Sequence, residues 1–189
     1  MIIAGIDEAG RGPLAGNVVA AVVVIPKDVD IKGLTDSKKI TASKRNKLYE
    51  KIILSCHYAI GYASVIEIDK LNIFQATLLA MRRALDNLNI DYDKVLVDGT
   101  HCPIAENCQA IIKGDLTEDV ISAASIVAKV TRDKQMEVLD RKYPNYSFKQ
   151  HKGYATKGHI EALYKYGVIK GVHRLSYAPV KKAKECCEM

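Results

Sequence analysis

The sequence predicts one α/β domain, a mixed sheet flanked by helices, with further helices appended at the C-terminal end. Three observations predict it. Five short apolar runs have strand-like length and composition, three of them early and the rest alternating with segments of helical spacing. The chain has 189 residues, a length that fits one domain. Apolar residues make up 48% and charged residues 26%, the balance of a globular protein able to bury a core.

Ile2 to Ile6 is the first apolar run, ending in Asp7-Glu8. Asn17 to Ile25 is a β-branched run that reads as a buried strand, and His57 to Val65 is a third with partial alternation. Thr41 to Leu54 between them predicts a helix capped by Thr41. Asn72 with Gln75 resembles a capping box. It opens a helix whose apolar positions Leu71, Phe74, Leu78, Met81, Leu85 and Leu88 recur at spacings of three and four. Lys94 to Val97 and Ala110 to Ile112 are shorter strand candidates, each closed by an acidic residue beside a glycine. Ile121 to Tyr143 predicts a long helix with an Ala/Ser-rich first half, and Thr156 to Tyr166 a last one stopped by Gly167. The longest apolar run, Val18 to Pro26, is about half of the roughly 20 residues a membrane helix needs. With no leader-like segment after Met1, the expected location is cytoplasmic.

The formal charge of +6 is unevenly spread. Residues 1–140 hold 17 Lys plus Arg against 19 Asp plus Glu, net −2, whereas residues 141–189 hold 11 against 3, net +8. Tyr143, Tyr146, Phe148, Tyr154, Tyr164, Tyr166 and Tyr177 are interleaved with that charge. Basic residues with aromatics between them suit a phosphate backbone and its sugars or bases; a solvated basic face is the competing reading.

Asp7 and Glu8 follow one apolar run, Asp98 closes VLVDGT, and Asp115 closes IIKGD. Three runs thus deliver acids at their C-terminal ends, where open α/β sheets place ligands. Asp98-Gly99 read alone is a common turn, and Asp115 read alone leads into a helix. Two acids directly after a buried strand are costly unless solvated or paired with a cation. If the four converge, hard oxygen ligands favour Mg²⁺ or Mn²⁺, and such a cluster suits two-metal phosphodiester hydrolysis. Gly10-x-Gly12 with Gly16 imitates a dinucleotide fingerprint, but Pro13 and the β-branched run after it open no helix. Five cysteines without a C-x-x-C pair predict neither a disulfide framework nor, with His101, a complete zinc site.

IAGIDEAGRGPLAG, LTDSKKIT, LVDGT, ISAASIVAKVTRD, HKGYATKGH and HRLSYAPV, in that order, resemble the bacterial ribonuclease HII family from Ile3 to about Val180. The resemblance implies a ribonuclease H-like mixed five-stranded sheet, with residues 1–140 as catalytic core and 141–189 as a basic helical extension packed on it. It implies an endonuclease that cuts the RNA strand of RNA–DNA hybrids and nicks 5′ of single ribonucleotides in duplex DNA. Its products would carry 3′-hydroxyl and 5′-phosphate ends. The family's metal-binding acids fall on Asp7, Glu8, Asp98 and Asp115, for two Mn²⁺ or Mg²⁺ ions. Gly10, Arg11 and Gly12 match the backbone segment expected to sense the ribose 2′-hydroxyl. Tyr154 matches a tyrosine that stacks on the neighbouring sugar, and Ser37 and Lys38 match phosphate contacts. Lys129 and Arg132 are open between a substrate role and pairing with Asp133 or Asp115. Thr100 and Tyr177 depart from common Asn and Phe, and the tail from Lys181 shows no sliding-clamp sequence. A monomer is expected. The sister family, ribonuclease HIII, and a non-catalytic nucleic-acid-binding module are the alternatives.

Overall fold

A computed structural model describes residues 1–35, 37, 39–104 and 106–187. Strands β1 (Ile3–Ala9) and β2 (Val18–Val24) form a hairpin, followed by helix α1 (Ala42–Ser55), β3 (His57–Ala63), α2 (Val65–Leu71) and α3 (Ile73–Asp86). Then come β4 (Lys94–Asp98), β5 (Cys108–Ile111), the single turn α4 (Gly114–Thr117) and the long α5 (Asp119–Lys142). A 3₁₀ turn at Pro144–Tyr146 leads to α6 (Phe148–His151), α7 (Lys157–Tyr166) and α8 (Ala178–Cys187). The five strands form one sheet in the order β3-β2-β1-β4-β5. β1 and β2 pair antiparallel, as do β2 and β3, whereas β4 runs parallel to both β1 and β5.

Both faces of the sheet are covered, which explains why all seven residues of β2 are buried. Val18, Ala20, Val22 and Val24 pack on α2 and α3 through Ile68, Ala76, Ala80 and Ala84. Alternate residues Ala21 and Val23 meet Leu48 and Ile52 of α1 and Ala123, Ala124 and Val127 of α5. The Ala-rich half of α5 lets it lie close to β1. A Cβ on Gly5 would come 2.3 Å from the Val120 carbonyl carbon.

The predicted helix through Leu71 is two helices. Asn72 takes φ 71°, breaking the chain direction, and its side chain accepts the Gln75 N–H of α3. The complete reciprocal capping box lies earlier, between Ser64 and Glu67, so β3 ends at Ala63 and Val65 already belongs to α2. Leu71 is 37% exposed, and the buried face of α3 centres on Ala76, Ala80 and Ala84. Thr156 to Tyr166 is not the last helix either: α8 follows, tucking Val180 and Ala183 against Leu14 and Leu163. Nor is every C-terminal aromatic on the surface. Tyr146 and Phe148 are buried around Met136, whereas Tyr154, Tyr164 and Tyr166 are exposed. Among the described residues no helix is long and apolar enough to cross a membrane.

Candidate active site

Parallel pairing of β1 with β4 brings their C-terminal ends to the same edge. The register Ile6↔Val97 sets Asp7 beside Asp98 on the next step of the two strands. Ile6 and Val97 face the α3 layer, so Asp7 and Asp98 share the opposite, α5-facing side and Glu8 the α3 side. Asp7 is only 5% exposed. Its Oδ1 accepts the Glu8 N–H at 2.7 Å, and Ser125 of α5 donates to its carboxylate. Behind Ser125, Ser37 closes the chain at 2.9 Å between hydroxyl oxygens.

Burial, then the charges of Glu8 and Asp98, push the Asp7 carboxyl well above its ordinary range. Glu8 leans toward the Arg11 guanidinium at 3.4 Å. Asp98 Oδ1 accepts the Gly114 N–H at 2.8 Å, and this bond seats the α4 turn carrying buried Asp115 against the end of β4. The Asp115 carbonyl accepts from Ser122 Oγ at 2.6 Å, tying that turn to α5. Asp115 thus lies past the end of β5, within α4 rather than on a strand terminus.

Two clefts meet at Glu8 and Arg11. One, of about 220 Å³, is lined by Gly10, Gly12, Ser37, Ser125, Lys129, Arg132 and Tyr154. The other, of about 190 Å³, adds Asp98, Gly99, Thr100 and His101 with Phe74, Leu78 and Met81 of α3. A larger hollow of about 520 Å³ opens at the other end of β1 and β2 and is mainly aliphatic, without a carboxylate in its lining. Tyr154 is 46% exposed at the rim of the first cleft, its Cε1 3.5 Å from where a Cβ on Gly12 would stand. Asp7, Glu8, Asp98, Gly10, Arg11, Gly12, Ser37 and Tyr154 therefore gather at one edge of the sheet. Lys38 lies outside the described residues.

Lys129 pairs with Asp133 at 2.8 Å. Arg132 is 1% exposed and spends its donors on backbone: the carbonyls of Lys152, Ala15 and Asn17 accept at 2.9, 3.1 and 3.4 Å. Gly10, at φ 97°, leaves room for that guanidinium, since a Cβ there would be 2.0 Å from Arg132 Nε. Burial pushes Arg132 down to about 10, and the neighbouring Arg174 adds to the effect. Sequence reasoning missed Ser125, Phe74, His101 and Arg174. Ser125 and Arg174 lie inside segments that carry the resemblance, Phe74 in the apolar stripe and His101 in the incomplete zinc pattern, and none of these signals says that the side chain reaches this site.

Carboxylate oxygens dominate this edge, and the crowding that holds back the Asp7 charge is the kind a hard divalent cation relieves. Among the described residues no three His, Cys, Asp or Glu side chains are already gathered into a ligand set. Glu8 and Asp98 are engaged instead by Arg11 and Gly114. The donor chemistry, that of carboxylate oxygens, fits a hard divalent cation such as Mg²⁺ or Mn²⁺.

The profile of the family described as Ribonuclease HII matches residues 4–180. Ribonuclease HII of Coxiella burnetii (strain Dugway 5J108-111) is 54% identical over 186 residues, covering 97% of this chain and 92% of that protein. Ribonuclease HII of Acinetobacter baylyi is 55% identical over 185 residues, covering 96% and 97%. The crystal structure of ribonuclease H2 from Pyrococcus horikoshii OT3 superposes with a TM-score of 0.81 at 30% identity, covering 98% of each chain. The chain accordingly belongs to the ribonuclease HII family and is a ribonuclease H endonuclease yielding 5′-phosphomonoesters.

Proposed function

We propose that this endonuclease hydrolyses the RNA strand of RNA–DNA hybrids and nicks duplex DNA 5′ of single embedded ribonucleotides, leaving 3′-hydroxyl ends. The observation that carries the reading is the placing of Asp7, Glu8 and Asp98 at one edge of the sheet, where two adjoining clefts meet, one lined by Gly10, Arg11, Gly12 and the exposed Tyr154 ring and the other by Asp98.

In this reading Asp7, Glu8, Asp98 and Asp115 hold two Mg²⁺ or Mn²⁺ ions. Such ions, when bound, supply Lewis-acid polarisation of the scissile phosphate and neutralise charge on the attacking and leaving oxygens. Ser125 and the Glu8 amide hold the Asp7 carboxylate in one orientation and favour its charged form. The backbone of Gly10, Arg11 and Gly12 meets the ribose 2′-hydroxyl, the group that separates RNA from DNA. Tyr154 stacks on the sugar just past the junction. Ser37 borders the phosphate path, Lys38, outside the described residues, is assigned a phosphate contact by the family resemblance alone, and the basic segment 141–189 forms an extension of the 1–140 catalytic core that follows the duplex. The protein works as a cytoplasmic monomer.

The test is cleavage of duplex DNA carrying one ribonucleotide, beside an all-RNA/DNA hybrid, in Mg²⁺, Mn²⁺ or EDTA, with products mapped to the nucleotide. A metal-dependent nick immediately 5′ of the ribonucleotide is expected. Cutting of the hybrid alone would assign the sister specificity, and no cutting in either metal would overturn the reading.

A further inference from the structure

Arg174 sits in the basic C-terminal quarter, yet it is fully buried. No carboxylate pairs with it among the described residues; its guanidinium is spent on one loop. Nη2 donates to the Gly10 carbonyl at 2.6 Å and to the Gly16 carbonyl at 2.8 Å, Nη1 to the Arg11 carbonyl at 2.8 Å, and Nε to Gly16 at 3.0 Å. Tyr177 adds its hydroxyl, which donates to the same Arg11 carbonyl at 2.6 Å while accepting from Arg174 Nη1 at 3.0 Å. The turn bearing both residues is itself pinned: Asp69 of α2 accepts the Leu175 and Ser176 N–H groups and the Ser176 hydroxyl, at 3.0, 2.9 and 2.6 Å.

A trans peptide points its N–H opposite to its C=O. Holding the Gly10 and Arg11 carbonyls inward on Arg174 therefore turns the Arg11 and Gly12 N–H groups outward, toward the cleft that these residues line. Neither amide donates a hydrogen bond among the described residues. A charged donor on each carbonyl also polarises the peptide and strengthens the N–H on its far side.

We infer that Arg174, assisted by Tyr177, is a positioning residue that fixes the Gly10 and Arg11 peptide planes and so presents two backbone N–H donors to the substrate. The Tyr177 hydroxyl is separable from the rest of the ring, because a phenylalanine at that position would supply neither of its two bonds. The inference rests on the reading that this loop meets the ribose 2′-hydroxyl.

The experiment measures binding, by fluorescence anisotropy with Ca²⁺, of a duplex carrying one ribonucleotide and of the same all-deoxy duplex, together with kcat and KM on the first. Wild type, Tyr177→Phe and Arg174→Lys are compared. Tyr177→Phe should lower the ribo-to-deoxy preference about two- to tenfold, the worth of one hydrogen bond. Arg174→Lys keeps the charge but cannot span three carbonyls, and should lower it about tenfold or more, with a fall in kcat and little change in KM for the duplex. A merely structural Arg174 would lower melting temperature and active fraction and leave the preference of the folded protein intact. If wild type itself shows no preference, the reading of the loop fails. If wild type discriminates and the variants discriminate equally, the positioning role is overturned. Should Arg174→Lys not fold, Tyr177→Phe alone decides.

Discussion

Acid should destabilise this protein through two histidines remote from the carboxylates. His159 and His173 are fully buried, and the bonds around them assign every ring proton. The Ile169 N–H donates to His173 Nδ1 at 2.9 Å, so His173 carries its proton on Nε2, 3.2 Å from His159 Nε2. That nitrogen accepts, and His159 Nδ1–H then donates to the Tyr154 carbonyl at 2.9 Å. A second proton on either ring would set two N–H groups against each other. Burial is the main cause that pushes His159 down to about 4 and His173 to about 3; the stacked His151 opposes their charge as well. Both folded values lie below the ordinary 6.5, so stability is complete above pH 6.5 and is lost as pH falls toward 4. Between pH 7 and 5 the unfolded chain takes up protons that the folded chain refuses, at a cost of about 3–4 kcal/mol for the pair. For a chain of this size that is a fall in Tm of roughly 10 °C. Thermal melts from pH 8 to 5 on wild type and on the non-titrating His159→Asn/His173→Gln variant isolate the effect. The variant should be less stable at pH 7 and lose much less on acidification. Parallel curves, or an NMR titration finding either ring near 6.5, would refute the argument.

Three further outcomes are expected. Asp7→Asn should abolish cleavage and raise stability by about 1 kcal/mol without metal, because it keeps the polar contacts and removes a buried charge opposed by Glu8 and Asp98. The gain should grow with pH above the ordinary carboxylate value, since the folded pKa is raised; a lower melting temperature at pH 8 would contradict the crowding. Gly10→Ala should cost roughly 2 kcal/mol or more, from its positive φ and its clash with Arg132, read as a fall in denaturation midpoint. Tyr154→Ala, at an exposed ring, should move stability by less than about 0.5 kcal/mol and cut nicking at embedded ribonucleotides at least tenfold. Equal nicking by variant and wild type would remove Tyr154 from its proposed role.

The local features were legible before the structure. All five apolar runs are strands, because alternation or a β-branched run marks a segment by its own residues. Asp7-Glu8 announced itself as two charges directly after a buried run. Thr41 and Asn72 cap their helices as their side chains predict. The break at Asn72 was obscured because Leu71 happens to continue the apolar spacing of α3 from the neighbouring helix. The α8 helix went unread because its few apolar positions are scattered among lysines.

Arg174 and Arg11 show where such reading stops. The resemblance placed Arg11 at the substrate, but nothing in the sequence said that Arg174, inside HRLSYAPV, would be buried and grip the Arg11 carbonyl from 163 positions away. Composition, spacing and capping chemistry, being properties of neighbouring residues, determined the α/β class, the strands and the acids that end them. The sheet order, the pairing of Asp7 with Asp98 across β1 and β4, and the burial of Arg132 and Arg174 were decided by tertiary structure alone. These depend on strand register and side-chain packing between distant segments, and such contacts exist only once the chain has closed on itself.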